Sequence, residues 1–97
     1  MTITETRNGN ELTVAVEGRL NAMSSPELEE YLQKNLPGVE RLTFDFEKLE
    51  FLSSSGLRVL AEVQDILNGN LKIVHVNPDV MSILVEVGFT EWMTIEG

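Results

Sequence analysis

Residues Leu49 to Leu60, Leu-Glu-Phe-Leu-Ser-Ser-Ser-Gly-Leu-Arg-Val-Leu, pass from an apolar stretch through three serines and a glycine into an apolar spacing of three and four. Continued downstream, that spacing puts Val59, Leu60, Val63, Ile66 and Leu67 on one side of a helix and Arg58, Glu62 and Asp65 on the other. Serine is among the best N-cap residues, so the helix begins around Ser53 to Gly56. Upstream, Leu42, Phe44 and Phe46 alternate with Arg41, Thr43, Asp45 and Glu47, the period-two pattern of a strand with its aromatic face inward. A loop through Lys48 and Glu50 joins the two. A half-buried strand delivered into an amphipathic helix is the repeating step of an α/β fold.

The same step recurs on either side. Toward the N-terminus, Leu12, Val14 and Val16 alternate with polar neighbours, and Asn8-Gly9 accepts the positive φ that a hairpin turn needs, so Ile3 falls in an antiparallel partner strand. Ser24-Ser25-Pro26-Glu27 reads as a helix start with Ser24 as N-cap and proline in the first turn, followed by Leu28, Tyr31, Leu32 and Leu36 on one face and a stop at Pro37-Gly38. Toward the C-terminus, Asn68-Gly69-Asn70 ends the second helix. Leu71 to Val76 reads as a strand apolar on both faces, and Asn77-Pro78-Asp79 starts a third helix with the stripe Val80, Ile83, Leu84 and Val87. Gly88 closes that helix and leaves Trp92 and Ile95 for a short last strand, with Trp92 anchoring it onto the core. The order β-β-α-β-α-β-α-β requires a mixed sheet of about four to five strands, because the hairpin pairs antiparallel while strands joined through helices pair parallel in right-handed crossovers. Met23 and Met81 are assigned to core packing, the usual place of a thioether.

Length and composition bound the class. Ninety-seven residues, 42% of them hydrophobic, form one domain over 1–97. The 7 basic and 16 acidic residues give a net charge of −9, which repels phosphate backbones and anionic headgroups and so argues against nucleic acid and direct membrane binding. The absence of cysteine removes disulfides and thiolate chemistry, and the opening Met-Thr-Ile-Thr-Glu-Thr-Arg has no apolar signal region, so a cytoplasmic location is expected.

Candidates for chemistry are few. The single histidine, His75, falls mid-strand and reads as a partly buried, hydrogen-bonded core residue. No paired histidines suggest a metal, no Gly-x-Gly-x-x-Gly or Walker pattern suggests a nucleotide, and no residue stands out as an activated nucleophile, so neither catalysis nor a cofactor or metal is expected. The serines before Gly56 are more suggestive. A helix N-terminus offers unpaired N–H groups and the positive dipole end, which favours an anion there by roughly 0.3–1 kcal/mol. Phosphorylation would add about −1.5 to −2 charges, while the plain alternative is capping.

The run Leu49 to Leu60 resembles the signature of STAS domains, and specifically of bacterial anti-sigma factor antagonists, in which an aromatic-apolar-Asp-Ser-Ser/Thr-Gly-Leu stretch enters the second helix. Gly18-Arg19-Leu20-Asn21 resembles the Gly-x-Leu/Ile-Asp loop before the first helix, Phe44-Asp45-Phe46 with Leu49 the preceding strand, and Pro78 through Phe89 the last helix and its exit. The resemblance spans essentially the whole chain. It implies a protein that exchanges partners: an anti-sigma factor kinase phosphorylates a serine and releases the antagonist, and a PP2C-type phosphatase resets it. That serine corresponds to Ser54, with Ser53 and Ser55 as alternates, and the implied docking face comprises Gly18, Asn21, Ser24, Ser53, Ser54, Ser55, Gly56 and Arg58. Gly56 is expected to let the partner's backbone approach closely, and Arg58, four residues beyond Ser54, to hold a phosphate there or to pair with Glu62.

Two positions depart from the family pattern: Ser53 and Asn21 stand where it has Asp, so the docking face lacks two carboxylates. This leaves an alternative function, a STAS adaptor or scaffold subunit that does not switch, within a signalling or transporter-associated complex.

Overall fold

Alternation along the strands is carried through into burial. Leu12, Val14 and Val16 are almost wholly buried while Glu11 and Thr13 lie exposed, so strand β2 (Glu11–Leu20) buries one face. In the computed structural model, which describes Met1–Gly97, β2 pairs antiparallel with β1 (Thr2–Asn8) across the turn at Asn8 to Asn10, where Gly9 takes φ 61. On its other edge β2 pairs parallel with β3 (Arg41–Asp45). Further parallel pairing adds β5 (Leu71–Val74) beside β3 and β6 (Thr94–Ile95) beside β5, giving the order β1-β2-β3-β5-β6.

Helices α1 (Ser25–Asn35), α2 (Ser54–Ile66) and α3 (Pro78–Glu86) connect the parallel strands, as right-handed crossovers require a helix between them. A single cluster of 22 buried hydrophobic residues joins sheet and helices, with Phe44 and Phe46 at its centre, their rings 5.6 Å apart. Leu28 and Leu32 of α1, Val59, Leu60 and Val63 of α2, and Val80 and Leu84 of α3 supply the helical side. Replacing Phe44 by alanine in such a core costs about 3–5 kcal/mol. No helix is long and apolar enough to cross a membrane.

The structure departs from the sequence reading in several places. Leu49 to Leu52, read as the end of a loop, is a sixth strand, β4 (Leu49–Leu52), which pairs parallel with the last residues of β2. Four residues are too few for periodicity to declare a strand. β5 ends at Val74, and its burial alternates, with Lys72 exposed, so it is covered on one face only. His75 therefore lies outside the strand, exposed, at φ 58. Ile66 and Val87, assigned to buried stripes, are 63% and 46% exposed at the C-terminal ends of their helices, although Leu67 beside Ile66 is buried. Met23 is 90% exposed, whereas Met81 packs against the core as expected. Trp92 is half exposed and stacks edge-on with Phe89, and the buried anchor of the final strand is Met93 beside it.

Candidate functional site

β4 decides how the site is assembled. It continues the line of β3 along the same edge of β2, Gly18 opposite Leu49 and Leu20 opposite Leu52, with a register shift between Gly18 and Arg19. Gly18 sits at that irregularity with φ 95, a conformation open to glycine and strained for other residues, and its N–H donates to the Lys48 carbonyl at 3.0 Å. Both strands then leave the sheet together. β2 runs into the loop Asn21 to Ser24 ahead of α1, β4 runs into Ser53 ahead of α2, and the Ser53 N–H donates to the Leu20 carbonyl at 2.9 Å. Residues more than thirty positions apart are thereby fixed side by side at the carboxyl ends of parallel strands, the edge where open α/β sheets place their ligands.

The loop before α1 is organised by Asn21. Its side-chain Oδ1 accepts from the backbone N–H groups of Met23 and Ser24 at 3.0 and 3.1 Å. The Ser24 hydroxyl, expected to cap α1, instead points back into the loop: it donates to the Arg19 carbonyl at 2.7 Å and accepts from the Asn21 N–H at 3.0 Å. Ser24 holds helical dihedrals and makes no side-chain cap bond. Ser25, buried, donates to the Asn21 carbonyl at 2.7 Å. A short polar side chain that satisfies the backbone of the following residues is the physical use of Asn in such a turn.

At α2 the geometry is that of a regular cap. Ser53 is extended, φ −94 and ψ 174, and its hydroxyl accepts from the Gly56 N–H at 3.4 Å. Ser54 is the first residue of the helix, exposed, with its hydroxyl bonded to nothing else in the chain. Ser55 is partly buried. Gly56 is buried and faces inward: a Cβ built there would meet Leu52 Cδ1 at 2.7 Å and Leu20 Cγ at 2.9 Å. The close approach it permits is between α2 and the two strand ends beneath it, within the chain, in place of the approach to a partner that the sequence suggested.

Arg58 is exposed on the first turn and a half of α2. One guanidinium nitrogen donates to Glu29 Oε1 at 2.9 Å and the other to Glu62 Oε1 at 3.0 Å. The Glu29 carboxylate first, then that of Glu62, raises the arginine above its ordinary value. The pairing with Glu62 was legible as a four-residue spacing; the tie to α1 through Glu29 was not. Of the residues the sequence nominated, Gly18, Asn21 and Ser24 stand beside Ser53, Ser54 and Ser55, Gly56 lies beneath them, and Arg58 is turned toward α1.

Three further residues join this face. Arg19 and Phe51 are opposite one another in the β2–β4 register, and the guanidinium carbon lies 4.4 Å from the ring centroid, within cation–π range. Met23 is exposed in the loop before α1, and with Met1, Gly18, Arg19, Asn21, Ser24 and Glu27 it lines a shallow depression of about 480 Å³. The Arg19–Phe51 contact exists only because β4 is a strand, so reading that segment as a loop hides it. No cluster of metal-ligating side chains lies among these residues. At the start of α2, Ser54 presents an exposed hydroxyl without a partner in the chain, while the neighbouring strand ends and loop carry the Arg19–Phe51 contact and the exposed Met23.

Comparison with known proteins agrees with this architecture. Several solved structures are similar, among them three anti-sigma factor antagonist structures. An anti-sigma factor antagonist from Mycobacterium paratuberculosis superposes with a TM-score of 0.88 at 21% identity, covering 98% of this chain and 84% of that one. The anti-sigma factor antagonist SpoIIAA in its unphosphorylated form gives 0.84 at 17% identity, over 97% and 87%. The Bacillus cell fate determinant SpoIIAA in the phosphorylated form gives 0.76 at 16%, over 97% and 90%. At these identities the likeness is one of fold. A search of curated proteins returned no match. The family profile described as "Mlab, STAS domain" matches residues 3–95, nearly the full length, and on that match, with the mixed sheet and the serine-bearing start of α2 in place, the chain belongs to the STAS-domain family.

Proposed function

We propose that this protein is an anti-sigma factor antagonist, which docks on an anti-sigma factor kinase through the face formed by the Asn21 loop and the start of α2, and is released when Ser54 is phosphorylated. The observation that carries this reading is Ser54 itself: an exposed hydroxyl with no partner in the chain, at the first position of a capped helix. A phosphate added there meets the N-terminal dipole of α2, which offsets part of its charge, and places about −1.5 to −2 charges in the middle of the docking face. A PP2C-type phosphatase restores the free hydroxyl. The likeness to SpoIIAA, whose phosphorylated form is among the similar structures, supports the reading. The protein acts by binding, in the cytoplasm where such a kinase and its sigma factor reside, and no activity of its own is invoked.

The test is to incubate the protein with an anti-sigma factor kinase and ATP and to map modified residues by mass spectrometry. Modification of Ser54, lost in Ser54→Ala, is the expected result; modification confined to other residues, Ser53 and Ser55 included, overturns the assignment. Calorimetry against the anti-sigma factor adds a second arm, in which Ser54→Asp weakens binding and Ser54→Ala retains it.

A second reading, a STAS adaptor or scaffold subunit that does not switch, has one specific observation in its favour. Asn21 and Ser53 both spend their side chains on backbone N–H groups and bring no carboxylate to the docking face. A kinase that reads a basic-to-acidic contact there finds none. Equal affinity of Ser54→Asp and Ser54→Ala for the partner would select this reading.

A further inference from the structure

At the same edge of the sheet, but on its other half, Asp45 ends β3 and His75 follows the last residue of β5. The parallel register sets Asp45 opposite Val74, and the Phe46 N–H donates to the Val74 carbonyl at 3.0 Å, so the two strand ends are locked together. His75 leaves β5 at φ 58 and its Nδ1 lies 3.0 Å from Asp45 Oδ1. The chain turns tightly after Asp45, whose Oδ1 also accepts from the Glu47 N–H at 3.0 Å, and this brings the Glu47 carboxylate to the same spot. One donor atom from each of the three residues lies within 4.8 Å of the other two.

From this placement we propose a divalent metal site, suited to Zn²⁺, with Asp45, Glu47 and His75 as its protein ligands. Three donors no more than 4.8 Å apart leave a point at most 4.8/√3, about 2.8 Å, from all of them. Zinc bonds to nitrogen and carboxylate oxygen are about 2.0–2.2 Å, so each donor closes by less than about 1 Å, within reach of side-chain torsions at an open surface. An imidazole nitrogen with two carboxylate oxygens is a borderline donor set that favours zinc and its late first-row neighbours over Mg²⁺ or Ca²⁺, which take oxygen alone. Three protein ligands leave the fourth tetrahedral position open to water or to a partner's side chain.

Charge points the same way. Neither Asp45 nor Glu47 pairs with a lysine or arginine; His75 is their sole basic neighbour in an ion pair, and it is neutral when it ligates a metal. A divalent cation neutralises the two carboxylates, in a chain whose net charge of −9 attracts cations. The spacing of 45, 47 and 75 conceals the site in the sequence, since the ligands meet only through the β3–β5 register.

The chain has one histidine, so its imidazole resonances in the NMR spectrum report on this site alone. Addition of ZnCl₂ to the full chain is expected to shift or broaden the His75 ring signals, with one equivalent bound by calorimetry and MgCl₂ without effect on the ring. His75→Gly keeps the fold, because glycine adopts φ 58 without strain, and lowers zinc affinity roughly tenfold or more, as does Glu47→Gln. Thermal unfolding of both variants without metal shows that the fold persists. Unperturbed ring signals at millimolar zinc, or zinc bound as tightly by His75→Gly as by the parent, overturn the proposal. Neither readout depends on Ser54, so the antagonist reading stands or falls separately.

Discussion

The chain enters α1 through Asn21 to Ser25 and α2 through Ser53 to Ser55, and the two serine-bearing junctions, alike in sequence, are built differently. At the first, every hydroxyl is spent: Ser24 on the Arg19 carbonyl, Ser25 on the Asn21 carbonyl, with Asn21 itself closing the turn. At the second, Ser53 alone caps the helix and Ser54 is left with a free hydroxyl in solvent. The cause is the route of the backbone. Ser24 is already helical, so its side chain lies beside the loop it has just left, whereas Ser53 is extended and its side chain reaches forward over the first turn. At α1 both serine hydroxyls are tied to loop carbonyls although neither caps the helix, whereas at α2 the hydroxyl of Ser54 has no partner in the chain.

The contrast can be broken most severely at the residue that joins the junctions. Gly56→Ala puts a methyl group 2.7 Å from Leu52 Cδ1 and 2.9 Å from Leu20 Cγ, both on buried side chains with nowhere to go. A net loss of about 1–3 kcal/mol by urea denaturation is expected, even after the alanine's better helix propensity, worth up to about 1 kcal/mol, is counted. Next comes Asn21→Ala, which frees two backbone donors and is expected to cost about 0.5–2 kcal/mol, with faster hydrogen exchange at Met23 and Ser24.

Ser53 sharpens the comparison in both directions. Ser53→Ala removes the cap and costs about 1 kcal/mol, whereas Ser53→Asp keeps the acceptor and adds a charge at the positive end of α2, for a gain of roughly 0.3–1 kcal/mol that shrinks as salt is added. Ser54→Ala is the smallest perturbation. With no bond to lose at an exposed position, its midpoint of denaturation stays within about 0.5 kcal/mol of the parent. A larger loss would show that Ser54 is structural, and that the junctions differ less than they appear.

How much of this was legible in the sequence follows from the range of each interaction. Alternation at Leu12 to Val16 and at Leu42 to Phe46, the Asn8-Gly9 turn and the Asn77 cap are local, and the structure repeats them, with Asn77 Oδ1 accepting from Val80 N–H at 2.9 Å. β4 is not local. Its four residues are a strand because the end of β2 lies alongside, and without that register the Arg19–Phe51 contact and the inward role of Gly56 stay hidden. Met23 and His75 were misplaced for a related reason. Residue type alone sends a methionine to the core and a histidine among valines into a strand, whereas the backbone turns outward at one and reverses to φ 58 at the other. The serine motif was found because it is contiguous.

The bond from Ser53 N–H to the Leu20 carbonyl, with Gly56 packed over Leu20 and Leu52, ties the end of β2 to the start of α2. On the proposed reading, a phosphate on Ser54 would therefore act where it is attached, as bulk and charge set against the partner's surface.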